Sequence, residues 1–369
     1  MARRLLTLNG LATVCVVLYH ASGWGFVAMF WWTHRYQLVA VPNFDQMYSL
    51  AYYGLRWVEQ VVSFAIPGFL FVSGFFAAMA ASRGDRREVW RGVGKRTLNL
   101  VIPYLLWSMI MLAIDLAQGA SFSPFQVIRI LLTGQAASPF YFVPLLCQLY
   151  LLSPLLVGWV KTHPIRLLVG AATAQLAVQA LQYGRILGLG VPDTGWARIA
   201  TSGWFFIGSI LWFCLGMVAS SHPTAVSSEA RRGRWIWIAG IVILIPLGMW
   251  EWEALLQASG ESWLDPQSTL LDGLYALAVL MSFVAFSEAR MPLDRRLNEL
   301  GPRSFGVYLV HSLVLLVLAR GVYHVAPAIL GAPLVFQTIL VVGGLGGPLL
   351  LMAGVRRSPL RSAYRVLFG

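Results

Sequence analysis

The chain has 369 residues, of which 58% are hydrophobic and only 11% are charged, and its formal net charge is +12. Soluble domains usually carry about a quarter charged residues, so this composition excludes an ordinary soluble fold and indicates a membrane protein. The positive charge is typical of basic loops on the cytoplasmic side of a membrane, and we expect no nucleic-acid partner.

The first apolar run follows Met-Ala-Arg-Arg and resembles a signal peptide. No clean Ala-x-Ala cleavage site follows, so we interpret this run as a retained first transmembrane helix. The three cysteines, Cys15, Cys147 and Cys214, lie singly inside apolar runs. They have no paired spacing and no nearby histidine, so we expect neither a disulfide framework nor a metal site.

Apolar runs of roughly 18 to 22 residues recur along the chain, and a helix of this length crosses about 30 Å of hydrocarbon. The sequence therefore predicts an all-α polytopic membrane bundle of about ten transmembrane helices, forming one domain over residues 1–369. We place the helices at residues 5–24, 60–81, 98–117, 140–160, 164–183, 204–220, 235–250, 268–287, 305–323 and 333–355.

The basic residues orient this map. If the N-terminus is cytoplasmic and the helices alternate in direction, most of the 27 lysines and arginines fall on the cytoplasmic side, as the positive-inside rule requires. The even number of helices then places both termini in the cytoplasm. The main basic clusters lie at residues 83–96, 231–234, 290–303 and 356–365, and the acidic residues Glu251, Glu253, Glu261 and Asp265 fall outside.

The first predicted helix carries three polar residues, Asn9, Thr13 and His20, whose spacing places them on one helical face. His20 lies about 22 Å along the helix from Leu5, in the outer half of the bilayer. A neutral imidazole that faces a wet cavity is suited to act as a general base. A histidine that is hydrogen-bonded between helices explains the same pattern equally well.

The ninth predicted helix has a similar stripe: Ser304, Tyr308, His311 and Ser312. His311 lies only about 10 Å from the inner end of that helix, and it either faces the same cavity from the other side or makes a structural hydrogen bond. Glu59, near Arg56, is a candidate to orient His20 or an acceptor hydroxyl, although a carboxylate at a helix end is often simply solvated.

Two further features have two interpretations each, and a third has one. The basic segment with Arg91, Lys95 and Arg96 suits a phosphate-rich ligand, but also ordinary positive-inside charge against anionic lipid. The aromatic-rich segment 25–59 suits either an interfacial belt or a ligand platform. Ser73, with Gly74, is typical of close helix packing.

These motifs, taken in chain order, resemble those of acyltransferase family 3, membrane proteins that acylate sugars and other extracytoplasmic acceptors. The matching segments are Leu8–His20, Phe69–Phe75, Lys95-Arg96 followed by Pro103, Phe140–Pro154, and Ser304–His311. Three positions depart from the family pattern. Asn9 and Asn99 stand where the family often has arginine, and Leu6 stands where an acidic residue is common.

The resemblance implies a reaction and a location. The donor would be acyl-CoA, most often acetyl-CoA, on the cytoplasmic side of the bacterial inner membrane, and no cofactor would be bound. The acceptor would be a hydroxyl of an extracytoplasmic sugar, glycan or lipid-linked glycan. From the residues and the resemblance together, we predict His20, Glu59 and His311 as catalytic residues. We predict as substrate-binding residues Asn9, Thr13, Ser73, Tyr141, Tyr308, Arg91, Lys95 and Arg96.

Two rival hypotheses stay open on the sequence. A glycan or lipid transporter or flippase would also have about ten helices and polar groups at membrane depth. It is disfavoured because no pair of helices broken by glycine or proline occupies matching places in two halves of the chain. An inactive scaffold for glycan synthesis is supported only by the two asparagines, Asn9 and Asn99.

Overall fold

The computed structural model describes residues 2–82, 85–192, 194–264, 269–289 and 293–369. These residues form α-helices, short 3₁₀ turns and a π-helical turn at Val27–Trp31, without β-strands, which confirms the all-α prediction. Arg83, Asp265 and Arg290, which entered the predicted charge map, lie outside the described residues.

The helices of the first half of the chain are α1 (Ala2–Phe26), α2 (Leu50–Val62), α3 (Ala65–Ala81), α4 (Arg86–Ala117), α5 (Pro124–Thr133), α6 (Phe142–Thr162), α7 (Pro164–Ile186) and α8 (Gly195–Ala200). The helices of the second half are α9 (Ile210–Ser221), α10 (Pro223–Arg232), α11 (Arg234–Ser259), α12 (Leu270–Ala285), α13 (Asp294–Leu300), α14 (Ser304–Val325), α15 (Pro333–Arg357) and α16 (Tyr364–Phe368).

Eight helical stretches in the described part of the chain are long and apolar enough to span a bilayer. Their bounds are Arg4–Trp31, Leu50–Ala81, Arg86–Ala117, Ser138–Thr162, Pro164–Ile186, Arg234–Ser259, Asp294–Val325 and Pro333–Arg357. A ninth is present if α9 and α10, which meet at a bend of 109°, are counted together. The chain is therefore an integral membrane protein.

The predicted count of ten differs from this result at two places. The helices predicted at 204–220 and 268–287 correspond to α9 and α12, which have 12 and 16 residues. The first turns of both helices line an internal cavity, through Trp212 on α9 and Gly273 on α12. Irregular backbone is tolerated at membrane depth where it borders a cavity rather than lipid, so these helices need not cross the whole bilayer.

A second correction concerns the basic segment at 83–96, which the prediction left outside the helix at 98–117. In the structure α4 begins at Arg86, so most of this segment is helical. A capping box starts the helix: the Asp85 side chain accepts from the Glu88 backbone, and the Glu88 carboxylate accepts from the Asp85 backbone. Arg91 and Lys95 are exposed on its first turns, and Arg96 is half-buried. The end of the bundle that carries Arg91, Lys95 and Arg96 is called the basic end below.

The start of α1 is fixed to α13. Phe305, shortly after α13, and the Asn99 backbone of α4 both lie against Gly369, so this contact is at the basic end. The Arg4 guanidinium lies 3.4 Å from the Asp294 carboxylate, and the Thr7 hydroxyl donates to the same carboxylate at 2.9 Å. Gly10 permits the close approach, since a Cβ there would collide with the backbone carbonyl of Leu297. Chain positions 4 and 294 therefore lie at the same depth.

Helices α3 and α9 cross at a pair of glycines. A Cβ on Gly74 would collide with the Phe213 carbonyl, and a Cβ on Gly216 would collide with the Phe71 carbonyl. Small residues at such a crossing let two helix backbones touch, as is common in membrane bundles. This geometry agrees with the close packing predicted for Ser73 and Gly74.

We expect Gly74→Ala to destabilise the protein by about 1–3 kcal/mol, because the added methyl group overpacks a backbone contact. The measurement is the free energy of unfolding in detergent. Gly346→Ala is the matched control, because a Cβ at Gly346 meets no atom within 4 Å. That control should be neutral or stabilising by up to about 1 kcal/mol. Equal stability of the two variants would contradict the close crossing.

Candidate active site

A cavity of about 880 Å³ lies in the half of the bundle away from the basic end. Its wall combines the second half of α1, the break between α2 and α3, the end of α4, the middle of α7 and the first turns of α9 and α12. Residues of α11, of α14 and of the turn at 137–141 also belong to it. Its volume falls in the range of about 300–1,000 Å³ that is usual for small-molecule sites.

The two predicted histidines lie side by side at this cavity. The imidazole centroids of His20 and His311 are 5.3 Å apart, with ring planes tilted by 44°. His20 lines the cavity, whereas His311 is 0% exposed and is not part of the cavity wall. Among the described residues, His20 has no hydrogen-bond partner, so both of its ring nitrogens are available to a ligand.

The depth predicted for His311 is wrong. The prediction started its helix near residue 305, but the membrane-spanning stretch begins at Asp294. At 1.5 Å per residue, His311 lies about 25 Å from Asp294, and His20 lies about 24 Å from Arg4. Because Arg4 and Asp294 are paired at the basic end, the two histidines reach the same depth.

Two tyrosines border the histidines. The Tyr308 hydroxyl donates a hydrogen bond to the Pro139 carbonyl, and its ring centroid lies 6.0 Å from that of His311. Tyr141 also lines the cavity. Within the described part of the chain its hydroxyl has no hydrogen-bond partner. Tyr141 therefore has an unused donor at the cavity, whereas the donor of Tyr308 is occupied.

A buried ion pair forms another part of the wall. Arg56 Nη1 donates to Glu59 Oε2 at 2.5 Å, and both side chains are about 95% buried. The Arg56 guanidinium also stacks on the Trp252 ring, 3.8 Å from its centroid. Glu59, which was predicted to orient His20, thus has its carboxylate held by Arg56.

Amide side chains and tryptophans make up much of the remaining lining. None of them was among the predicted site residues. Gln60 donates to the Asp272 carboxylate at 2.8 Å. Gln175 and Gln179 enter the wall from α7, and their spacing of four on an apolar helix was a detectable signal. The tryptophans of the wall are Trp24, Trp31, Trp212, Trp252 and Trp263.

Different residues of the aromatic segment 25–59 support its two interpretations, a ligand platform and an interfacial belt. Trp31 lines the cavity, as a ligand platform would. Phe30 and Tyr52 are fully buried beneath it, packed with Trp263. Trp57 is 53% exposed, as expected of an interfacial belt residue.

Two other predicted site residues, Asn9 and Thr13, lie outside the cavity wall. The Asn9 amide donates to the Gly301 carbonyl at 3.0 Å and to the Ser304 hydroxyl at 2.7 Å. The Thr13 hydroxyl donates to the Asn9 carbonyl one turn back. In this structure Asn9 joins α1 to the start of α14, and Thr13 is satisfied within its own helix.

Of the remaining predicted residues, Arg91, Lys95 and Arg96 mark the basic end itself, and Ser73 lies between that end and the cavity. Ser73 is about 9 Å along α3 from Pro67 of the cavity wall, on the side towards the basic end. The Tyr150 hydroxyl lies beside the Ser73 hydroxyl, and the charge of Arg96 acts on Tyr150. These three residues form a polar path, called the Ser73 path below, from the basic end towards the cavity.

The family model for the acyltransferase domain of acyltransferase family 3 matches residues 7–353. The chain belongs to acyltransferase family 3. It is therefore an acyltransferase, which favours the enzyme over the transporter and scaffold hypotheses. Neither a search of curated proteins nor a search of solved structures returned a match.

Membership of acyltransferase family 3 gives the cavity a chemical meaning. The matched region contains every residue that lines the cavity, from Val16 to Leu316, and the basic turns of α4 as well. An acyltransferase needs a base for the acceptor, a place for the acyl carbonyl and a site for the donor. His20 and Tyr141 both line the cavity, and Arg91, Lys95 and Arg96 lie at the basic end.

The buried ion pair supports a prediction about stability. Arg56→Met or Glu59→Leu alone leaves one charge buried without its partner, which should cost about 3–5 kcal/mol. The double variant should lose much less than the sum, since it removes both charges. The free energies of unfolding of the parent, the two single variants and the double variant, measured in detergent, give the coupling energy between Arg56 and Glu59.

The exposed pair Arg295 and Glu299, 3.2 Å apart, is the control for this cycle. Its guanidinium and carboxylate side chains are 91% and 59% exposed, so its coupling should be below about 1 kcal/mol. Additive losses at Arg56 and Glu59 would contradict a buried, mutually dependent pair.

Proposed function

We propose that this acyltransferase moves an acyl group, acetyl in the simplest case, from acyl-CoA bound at the basic end to a hydroxyl of a sugar or glycan in the cavity. His20 is the general base. The observation that carries the proposal is the position of His20: its imidazole lines a cavity of substrate size and makes no hydrogen bond to any residue that the structure describes.

The chemistry balances without a cofactor. His20 takes the proton of the acceptor hydroxyl as its oxygen attacks the thioester carbonyl, which forms a tetrahedral intermediate. The carbon–sulfur bond then breaks, and the CoA thiolate takes the proton back from the His20 imidazolium. The products are an ester and free CoA.

Tyr141 is the better candidate to stabilise the oxyanion of the intermediate. Its hydroxyl lies at the cavity without a partner among the described residues, whereas Tyr308 already donates to Pro139. A pre-positioned donor at the developing negative charge is usually among the largest single contributions to catalysis. Tyr308 is then a wall residue that holds the 138–141 turn against α14.

The donor reaches the cavity from the basic end in this proposal. Arg91, Lys95 and Arg96 meet the phosphates of CoA, since guanidinium and ammonium groups bind phosphate oxygens. Along α4 the rise from Arg96 to Met111 of the cavity wall is about 23 Å, a distance comparable with an extended phosphopantetheine arm. The Ser73 path supplies polar groups along this route.

The acceptor class follows from the chemistry of the wall. Sugar rings present apolar C–H faces and hydroxyl edges. The tryptophans offer flat rings for the faces, and side chains such as Gln60, Gln175 and Asp272 offer donors and acceptors for the hydroxyls. An extracytoplasmic sugar, glycan or lipid-linked glycan fits this lining better than a fatty alcohol does.

The orientation in the membrane completes the proposal. Arg4 lies at the basic end, and the C-terminal Gly369 packs against Phe305 and the Asn99 backbone near the same end. Both termini therefore share the basic end, which faces the cytoplasm of a bacterium by the positive-inside rule. The cavity then lies towards the outer face of the cytoplasmic (inner) membrane, where a glycan acceptor is found.

The first functional prediction concerns His20. We expect His20→Ala to lower acyl transfer by about 10²–10⁴-fold, which is the usual contribution of a general base. The measurement uses membranes that contain the protein, labelled acetyl-CoA and a cell-envelope glycan fraction. His163→Ala is the control, because His163 is exposed at the junction of α6 and α7. Equal transfer by all three proteins would remove His20 from the mechanism.

The second prediction concerns the donor. Arg96→Ala should raise KM for acetyl-CoA about tenfold or more, because a hydrogen bond to a charged group contributes about 1.5–3 kcal/mol. Raising the salt concentration should raise KM of the parent enzyme in the same direction. Arg295→Ala is the control for overall charge, since Arg295 is highly exposed and paired with Glu299. An unchanged KM in Arg96→Ala would place the CoA phosphates elsewhere.

A further inference from the structure

His311 stands directly behind His20. His20 belongs to the cavity wall, His311 does not, and the two ring centroids are 5.3 Å apart. His311 is 0% exposed. A substrate in the cavity therefore touches His20 before it can reach His311, and any effect of His311 on the reaction passes through His20.

Hydrogen bonds to backbone carbonyls of its own helix show which ring nitrogen of His311 carries the proton. Nδ1 lies 2.6 Å from the Tyr308 carbonyl oxygen and 3.2 Å from the Val307 carbonyl oxygen. A carbonyl oxygen can only accept a hydrogen bond, so Nδ1 carries the proton and donates. Nε2 of the neutral ring then has a lone pair and acts only as an acceptor.

This acceptor is buried and has no partner among the described residues. A buried polar atom without a hydrogen bond costs about 1–3 kcal/mol, so a native structure that keeps one usually has a use for it. Centroids 5.3 Å apart would place two ring nitrogens about 3 Å apart if they faced each other, which is a hydrogen-bonding separation. The structure has no hydrogen bond between these two rings, whose planes are tilted by 44°. A turn of the His20 ring about its Cβ–Cγ bond would direct one of its nitrogens towards Nε2.

We infer that His311 is a positioning residue: its Nε2 accepts a hydrogen bond from one ring N–H of His20 and thereby selects the tautomer of the base. The inference rests on the proposed role of His20. With one nitrogen of His20 protonated towards His311, the other has its lone pair directed into the cavity, where the acceptor hydroxyl binds. When His20 takes that proton, Nε2 of His311 continues to accept from the imidazolium and stabilises it.

No charged group at the cavity, within the part of the chain that the structure describes, is placed to accept a hydrogen bond from His20 instead of His311. The charged groups at the cavity are Arg56, Glu59 and Asp272. Glu59 is held by Arg56, and Asp272 is held by Gln60 and by the backbone of Thr269. No carboxylate among the described residues makes a hydrogen bond to His20. A neutral imidazole thus takes the place that a carboxylate occupies behind the histidine of a catalytic triad.

Two substitutions of His311 distinguish a role in positioning His20 from a role in packing alone. His311→Leu keeps an apolar side chain in the buried site but removes the acceptor. His311→Gln places an amide group near the position of Nε2 and keeps an acceptor. We expect kcat to fall at least tenfold in His311→Leu, with KM unchanged for acetyl-CoA and for the glycan fraction, and to recover in large part in His311→Gln.

His222→Leu is the matched control, because His222 also bonds a backbone carbonyl, that of Val160 at 2.9 Å, and is not part of the cavity wall. It should change thermal stability without changing kcat. A kcat of His311→Leu equal to that of the parent enzyme would overturn the inference. So would a His311→Gln variant that is folded and as slow as His311→Leu.

A spectroscopic readout tests the pairing without any turnover. The chain has 6 histidines, so ¹⁵N-histidine spectra of the detergent-solubilised protein are simple, and the His20→Ala spectrum assigns the His20 signals. We expect one His20 tautomer in the parent protein and a mixture of two in His311→Leu. Mixed tautomers in both proteins would overturn the pairing. One fixed tautomer in an enzyme that transfers no acyl group would instead overturn the proposed function.

Discussion

The contact between α1 and the α13–α14 segment sets the depth of the two histidines. It begins with the Asp294 carboxylate, which receives Arg4 and Thr7, and it continues through Gly10 against the Leu297 backbone. Asn9 ends it by donating to Gly301 and Ser304. A shift of α1 by one turn would move His20 by about 5.4 Å and separate it from His311.

This contact also gives a physical meaning to the departure of the chain from its family. An arginine at position 9 would bring a charge and a longer side chain to a place where the structure has two short hydrogen bonds. Asn9 is short enough to join two closely packed helices and carries no charge that needs a partner. The substitution is therefore compatible with an active enzyme, because the histidines that it helps to align are both present.

The cavity explains several other features of the bundle. Helices α9 and α12 are short because their first turns border the cavity rather than lipid. The same polar wall requires its charges to be balanced, and the buried pair of Arg56 and Glu59 meets this need beside the Trp252 ring. Between the cavity and the basic end, the Ser73 path places the hydroxyls of Ser73 and Tyr150 side by side in an otherwise apolar region.

The sequence by itself determined the all-α membrane class, the approximate positions of most helices, and His20 and His311 as candidates, because apolar run length and rare polar groups at membrane depth are local signals. Tyr141 became a candidate only through the resemblance to the family. Only the tertiary structure decided which of these residues meet. It brought His20 and His311 to one depth, moved Asn9 and Thr13 out of the cavity wall, and added Gln60, Trp212 and Trp263. Those outcomes depend on how helices far apart in the chain align, and no local pattern of residues contains that alignment.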